Sequence, residues 1–157
     1  RLRLPAGQVV APGDQVMMLD SYYYEIPFYW NLRSPVLISD DWKAAATDTR
    51  DNWRKEIYDA SRFEPARADA TLVNRTELAP VLCVPHTTWL VGPIASQLSN
   101  PWLGKAQVVA LNESIAAWRF PGSATSDPGC LGTAAAAAST TTAPSPSAPV
   151  PKTNGND

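Results

Sequence analysis

The chain has 157 residues, enough for one domain with a substantial core but too few for two ordinary domains unless one of them is a tail. Thirteen Lys and Arg against fifteen Asp and Glu give a net charge of −2, so there is no broad electropositive face for a phosphate backbone, and nucleic acid is not an expected partner. No run approaches the roughly 18 apolar residues of a membrane-spanning helix, and RLRLPAGQVV is too short an apolar run for a secretory signal. The chain begins at Arg1 and reads as a soluble piece of something longer.

In chain order, residues 1–12 are a lead-in that ends at the Pro12-Gly13 turn signal. Gln15 to Leu19 is a short continuous apolar run, the pattern of a strand buried on both faces. Asp20 and Ser21 end it, and Ser21 is a good cap for a helix with Glu25 in its first turns. Six of the fourteen aromatic residues follow within nine positions, from Tyr22 to Trp30. Each ring buries on the order of 150–250 Å², so this block needs a large surface to pack against. Pro27 lies too deep for a simple first turn, which makes the aromatic helix short or kinked. Pro35 then leads into Val36-Leu37-Ile38, a second buried strand ending at Ser39-Asp40-Asp41. Two strands with a compact helical crossover between them predict a parallel, right-handed pair.

Asp48 or Thr49 is the expected cap of the next helix, with Trp53, Ile57 and Ala60 on its apolar stripe and Pro65 ending the run. Residues 64–75 read as loop, and a short helix from Asn74 or Thr76 reaches Leu82. Thr87 to Val91 is a strand closed by Gly92-Pro93, and Ile94 to Leu103 is irregular or a single helical turn. Ala106 to Leu111 and Ile115 to Phe120 form a hairpin about Asn112-Glu113-Ser114. The fold class is therefore α/β: a three-layer α/β/α domain over residues 13–121, with a mixed, mainly parallel sheet of about five strands ending in an antiparallel hairpin. Residues 122–157, rich in Ala, Ser, Thr and Pro, have almost no large apolar side chains and are expected to be a disordered tail.

The inventory excludes most catalytic templates. There is one histidine, His86, no GxSxG elbow, no Gly-rich phosphate loop and no CxxC, so no catalytic residue, metal ligand set or cofactor is assigned. Cys83, in an apolar context, reads as a small core residue. A Cys83–Cys130 disulfide would require an oxidising compartment, which the sequence by itself does not demand. Asp20 and the Asp40-Asp41 pair fall at the carboxyl ends of two expected parallel strands, where ligands of α/β sheets bind. Carboxylates there can do acid/base work or hold a cation, or else cap helices and terminate strands. Asp20, Tyr22, Tyr23, Arg33, Asp40 and Asp41 are the candidate contacts to a substrate or to another domain.

The order PGDQVMMLDSYYYEIPFYWNLRSPVLISDDW, TRDNWRKEIYDASRF, TTWLVGP and a hairpin ending AAWRF resembles the C-terminal soluble domain of bacterial dolichyl-phosphate-mannose-protein mannosyltransferase-like proteins, which include the lipid A aminoarabinose transferases. The likeness covers residues 12–120. It implies an α/β/α cap in the periplasm, attached to a membrane part that moves a sugar from a polyprenyl-phosphate carrier to a protein or lipid acceptor. It also implies that catalytic groups belong to the membrane part, so none is carried onto this chain. The implied partners are the transmembrane part of the same polypeptide and a lipid-linked sugar or acceptor headgroup. The long tail departs from the pattern. The alternative is a freestanding periplasmic module that binds a saccharide or lipid headgroup.

Overall fold

The computed structural model describes residues 1–132. Six strands form one sheet: β1 (Gln15–Leu19), β2 (Leu37–Asp40), β3 (Leu72–Asn74), β4 (Thr88–Pro93), β5 (Gln107–Leu111) and β6 (Ile115–Phe120), in the order β3-β2-β1-β4-β6-β5. β1 pairs in parallel with β2 and β4, and β2 in parallel with β3. β6 runs antiparallel to both β4 and β5. The mixed, mainly parallel sheet with a terminal hairpin is thus present, with one strand more than the sequence suggests.

Alternation along β1 explains the three layers. Met17 and Leu19 point to one face, where they pack with Leu82, Trp102, Leu103 and Trp118. Val16 and Met18 point to the other, where Leu2, Ile26 and Trp30 cover them. The parallel register sets Met18 beside Ile38 and Ile38 beside Leu72, so this second face continues under Trp42 and Ala45, with Trp53 and Ile57 packed at its edge. The aromatic block accordingly serves the core: its helix α1 (Ile26–Tyr29) is one turn long, Ile26 and Trp30 are buried, and the Trp30 ring meets Trp89 edge-on with centroids 6.4 Å apart.

Helix α2 (Trp42–Thr47) follows β2 directly, capped by Asp41, whose Oδ1 accepts from the Ala44 amide at 3.0 Å. Helix α3 (Trp53–Ser61) is the expected amphipathic element, but Asn52 caps it through the Lys55 amide, and Asp48 instead holds the preceding loop by accepting from Asn52 Nδ2. Segment 64–75, expected as loop, contains helix α4 (Pro65–Thr71) and β3. Pro65 sits at the helix start, where its missing N–H costs nothing, so it begins α4 as well as ending α3. β3 is only three residues long, and its signal in the sequence is correspondingly small. Helix α5 (Ala79–Leu82) and helix α6 (Ser96–Ser99) complete the covers.

The segment after β6 decides a pairing that the sequence leaves open and corrects one expectation. Cys83 is buried as expected, and it is bonded to Cys130. Residues 122–132, assigned to the tail, are folded onto the domain: Ser123 N–H donates to Val84 O, a 3-10 turn spans Pro128–Leu131, and Leu131 is buried in the core beneath α5. Gly122 at φ +75° permits this path, because a Cβ there would collide with the carbonyls of Val84 and His86. Composition alone predicts no order here, and one disulfide with one buried leucine is enough to offset it locally. The rest of the expected tail, 133–157, lies outside the described residues.

Closing a separation of 47 residues restricts the unfolded chain by about 4 kcal/mol in the chain-entropy model. The Cys83→Ala/Cys130→Ala variant is therefore expected to lose roughly 3–4 kcal/mol of unfolding free energy in urea. A loss under about 1 kcal/mol would mean that the cross-link does not define the folded boundary.

Candidate functional site

The strand order places the switch point of the sheet between β1 and β4, since the chain moves outward through β2 and β3 on one side and through β4 and the hairpin on the other. In open α/β sheets the carboxyl edge at such a point is the usual ligand crevice. Here it holds a charged cluster. Asp20 ends β1 with φ +55°, a left-handed conformation that Asp tolerates better than most residues and that turns its carboxylate across the strand ends. Asp40 ends β2 with no solvent exposure.

Two arginines meet these acids. Arg75, just after β3, donates from Nη2 to Asp20 Oδ1 at 2.6 Å and to Asp40 Oδ1 at 3.2 Å, and its backbone N–H donates to the Asp40 carbonyl at 3.1 Å. Arg54, on α3, donates from Nε to Asp40 Oδ2 at 2.9 Å. The Asp41 N–H donates to Asp40 Oδ1 at 2.7 Å, and Ser96 Oγ, at the start of α6, donates to Asp20 Oδ2 at 2.8 Å. Every oxygen of both carboxylates is therefore engaged, and two negative charges face two positive ones. Gly92 makes the Ser96 contact possible. A Cβ at that position would lie 2.9 Å from the Leu19 carbonyl and 3.4 Å from Ser96 Oγ. Chemically the cluster is a clamp that ties the ends of β1, β2, β3 and β4 together, with α3 fastened to it by Arg54.

Of the six residues singled out in the sequence, the structure brings Asp20 and Asp40 into this cluster. Asp41 is adjacent, but its side chain serves as the cap of α2. Tyr22 and Tyr23 flank the edge, half-buried. Burial raises both phenols above their ordinary value of 10.0, with Tyr24 adding to the effect at Tyr22, and with Ser21 opposing it and Glu25 and Asp20 adding to it at Tyr23. Tyr22 also lines an open groove of about 470 Å³ between α1 and the α3–α4 pair, floored by Val36, Ile38 and Leu72. Arg33 is not part of the cluster: it lies in the loop before β2, with Val10 and Asp14, at the opposite edge of the sheet. Among the described residues no three acidic, His or Cys side chains are grouped to hold a metal ion.

Arg75, Arg54, Ser96 and Gly92 complete the cluster without a clear signal in the sequence. Arg75 follows a strand too short to show a period, and Arg54 lies off the apolar stripe of its helix. The Gly92-Pro93 turn was the one available signal, because a glycine at the end of a buried strand marks a close backbone approach. No family model, curated protein sequence or solved structure matches the chain.

Asp40 and Asp41 are neighbours with opposite sensitivities. Asp40→Asn turns an acceptor into a donor facing two guanidinium groups and is expected to cost about 2–3 kcal/mol. Asp41→Asn keeps an equivalent cap and is expected to cost only about 0.5 kcal/mol or less. Urea unfolding of the two variants checks this, and equal costs would contradict the clamp.

Proposed function

We propose that this chain is the extracytoplasmic, C-terminal soluble domain of an integral-membrane glycosyltransferase that moves a sugar from a polyprenyl-phosphate carrier to a protein or lipid acceptor, and that the domain is itself non-catalytic. The observation that carries the compartment is the Cys83–Cys130 disulfide, which joins a core cysteine to a folded segment and persists where the surroundings are oxidising, as in the periplasm. The three-layer α/β architecture over the residues that bear the family-like motifs agrees with a cap domain. Motif order supports the transferase assignment: the Asp20 turn, the tyrosine run and the Pro27-Phe28-Tyr29 element occur together at the end of the first strand and its crossover.

The clamp supports a scaffold role. Catalytic acids and bases need access to a reacting group, whereas Asp20 and Asp40 direct their oxygens at arginines, a serine and a backbone amide. No helix among the described residues is long and apolar enough to cross a membrane, so on this reading the membrane-embedded part is encoded outside these 157 residues.

The test compares the full-length protein with the 157-residue chain. An alkaline phosphatase reporter fused after Asp157 of the full-length protein should be active, the signature of an extracytoplasmic end. The full-length protein should also transfer sugar from a polyprenyl-phosphate donor while the purified 157-residue chain does not. An inactive reporter, or transfer by the isolated chain, would overturn the proposal.

A further inference from the structure

We propose that the end of the domain around the last turn of α1 docks on an anionic lipid bilayer, which sets the amino edge of the sheet toward the membrane and the acid–arginine clamp away from it. This deepens the membrane reading above and rests on it.

The patch is built from residues that the fold holds in place without burying. Leu2 is buried, and Trp30 Nε1 donates to the Leu2 carbonyl at 3.4 Å, which pins the amino-terminal segment against α1. Arg1 and Arg3 consequently stand over the Tyr29 ring, 5.4 Å and 5.5 Å from its centroid. The Phe28 ring touches the same tyrosine edge-on at 5.7 Å, yet Phe28 is 83% exposed, and Val9 is 73% exposed. Arg33, four positions beyond Tyr29, is exposed and shares a pocket of about 240 Å³ with Val10.

Clustering of charge marks this patch. Among the described residues Arg1, Arg3 and Arg33 form no salt bridge, as is also true of Lys43, Arg50, Arg62, Lys105 and Arg119, but only here do two cations stand over one aromatic ring. The acids nearest in the chain form no salt bridge with them. Asp14, in the same pocket as Arg33, accepts through Oδ2 from Trp89 Nε1 at 2.8 Å and from the Ala11 amide. Glu25 stands at the other end of α1. Three unpaired guanidinium groups beside an exposed Phe and Val are complementary to anionic headgroups over an apolar layer, with aromatic side chains suited to the boundary. A purely apolar protein partner would leave those charges unmatched.

Co-sedimentation of the 157-residue chain with vesicles tests this. Partition is expected onto phosphatidylglycerol/phosphatidylcholine vesicles and not onto phosphatidylcholine alone, and it should fall with salt. Arg3→Gln and Arg33→Gln should each weaken it about fivefold, and Phe28→Ser should weaken it further. Phe63→Ser, at a residue 89% exposed in the α3–α4 turn, serves as the control and should leave it unchanged. All four substitutions are at exposed positions, so unaltered thermal unfolding certifies the fold. Failure to bind the anionic vesicles, binding indifferent to Arg3→Gln and Arg33→Gln, or an equal loss with Phe63→Ser would each overturn the inference, and the first with the patch buried against polypeptide in the full-length protein would assign it to a protein contact. The reporter experiment above is independent of all of these outcomes.

Discussion

A carboxylate with no exposure to water has to be neutralised where it stands, and the way Asp40 meets that requirement organises one whole edge of the domain. Its two arginines come from separate elements, Arg54 from α3 and Arg75 from the turn after β3, so neutralising one side chain fixes the positions of both. Arg75 then reaches Asp20 as well and draws the end of β1 into the same knot. A buried ion pair is not by itself a source of net stability, since desolvation offsets much of the attraction. Its effect is geometric: the partners are intolerant of being separated, because separation leaves a bare charge in the interior.

The same argument explains why the acids at the carboxyl edge of this sheet, the usual place for a ligand, are already engaged by partners of the chain itself. Ser96 and Gly92 bring α6 so near to Leu19 that the switch point is spanned by a hydrogen bond from Ser96 to Asp20. The opposite edge carries the unpaired arginines and the exposed Phe28. One end of the domain thus pairs its charges internally, and the other carries arginines without salt bridges.

Five of the six strands were legible because each is a short apolar run between turn residues, and strands buried on both faces depend on little else. β1 matches its expected bounds, Gln15–Leu19, because Gly13-Asp14 and Asp20-Ser21 punctuate it on both sides. β3 was not legible: Leu72-Val73-Asn74 has too few residues to show a period, and it becomes a strand only because β2 offers an edge to pair with. The site was half legible for a related reason. Position in a βα unit identifies Asp20 and Asp40 as strand-end acids, whereas the arginines that answer them arrive through tertiary contacts separated by 55 and 35 positions from Arg75 and by 14 from Arg54. Arg33 stands apart from Asp20 because the crossover through α1 carries the chain from the carboxyl edge of the sheet to its amino edge. The fold of residues 122–132 was hidden by composition, which does not reveal where a single cysteine finds its partner.

The most direct test of the clamp is a double-mutant cycle on the two arginines. Arg54→Met and Arg75→Met each leave Asp40 one guanidinium, but together they leave a buried carboxylate with none. The cost of the double variant in urea unfolding should therefore exceed the sum of the single costs by about 1–3 kcal/mol. Strict additivity would show that the two arginines act independently, and that Asp40 is not the point on which this edge is fastened.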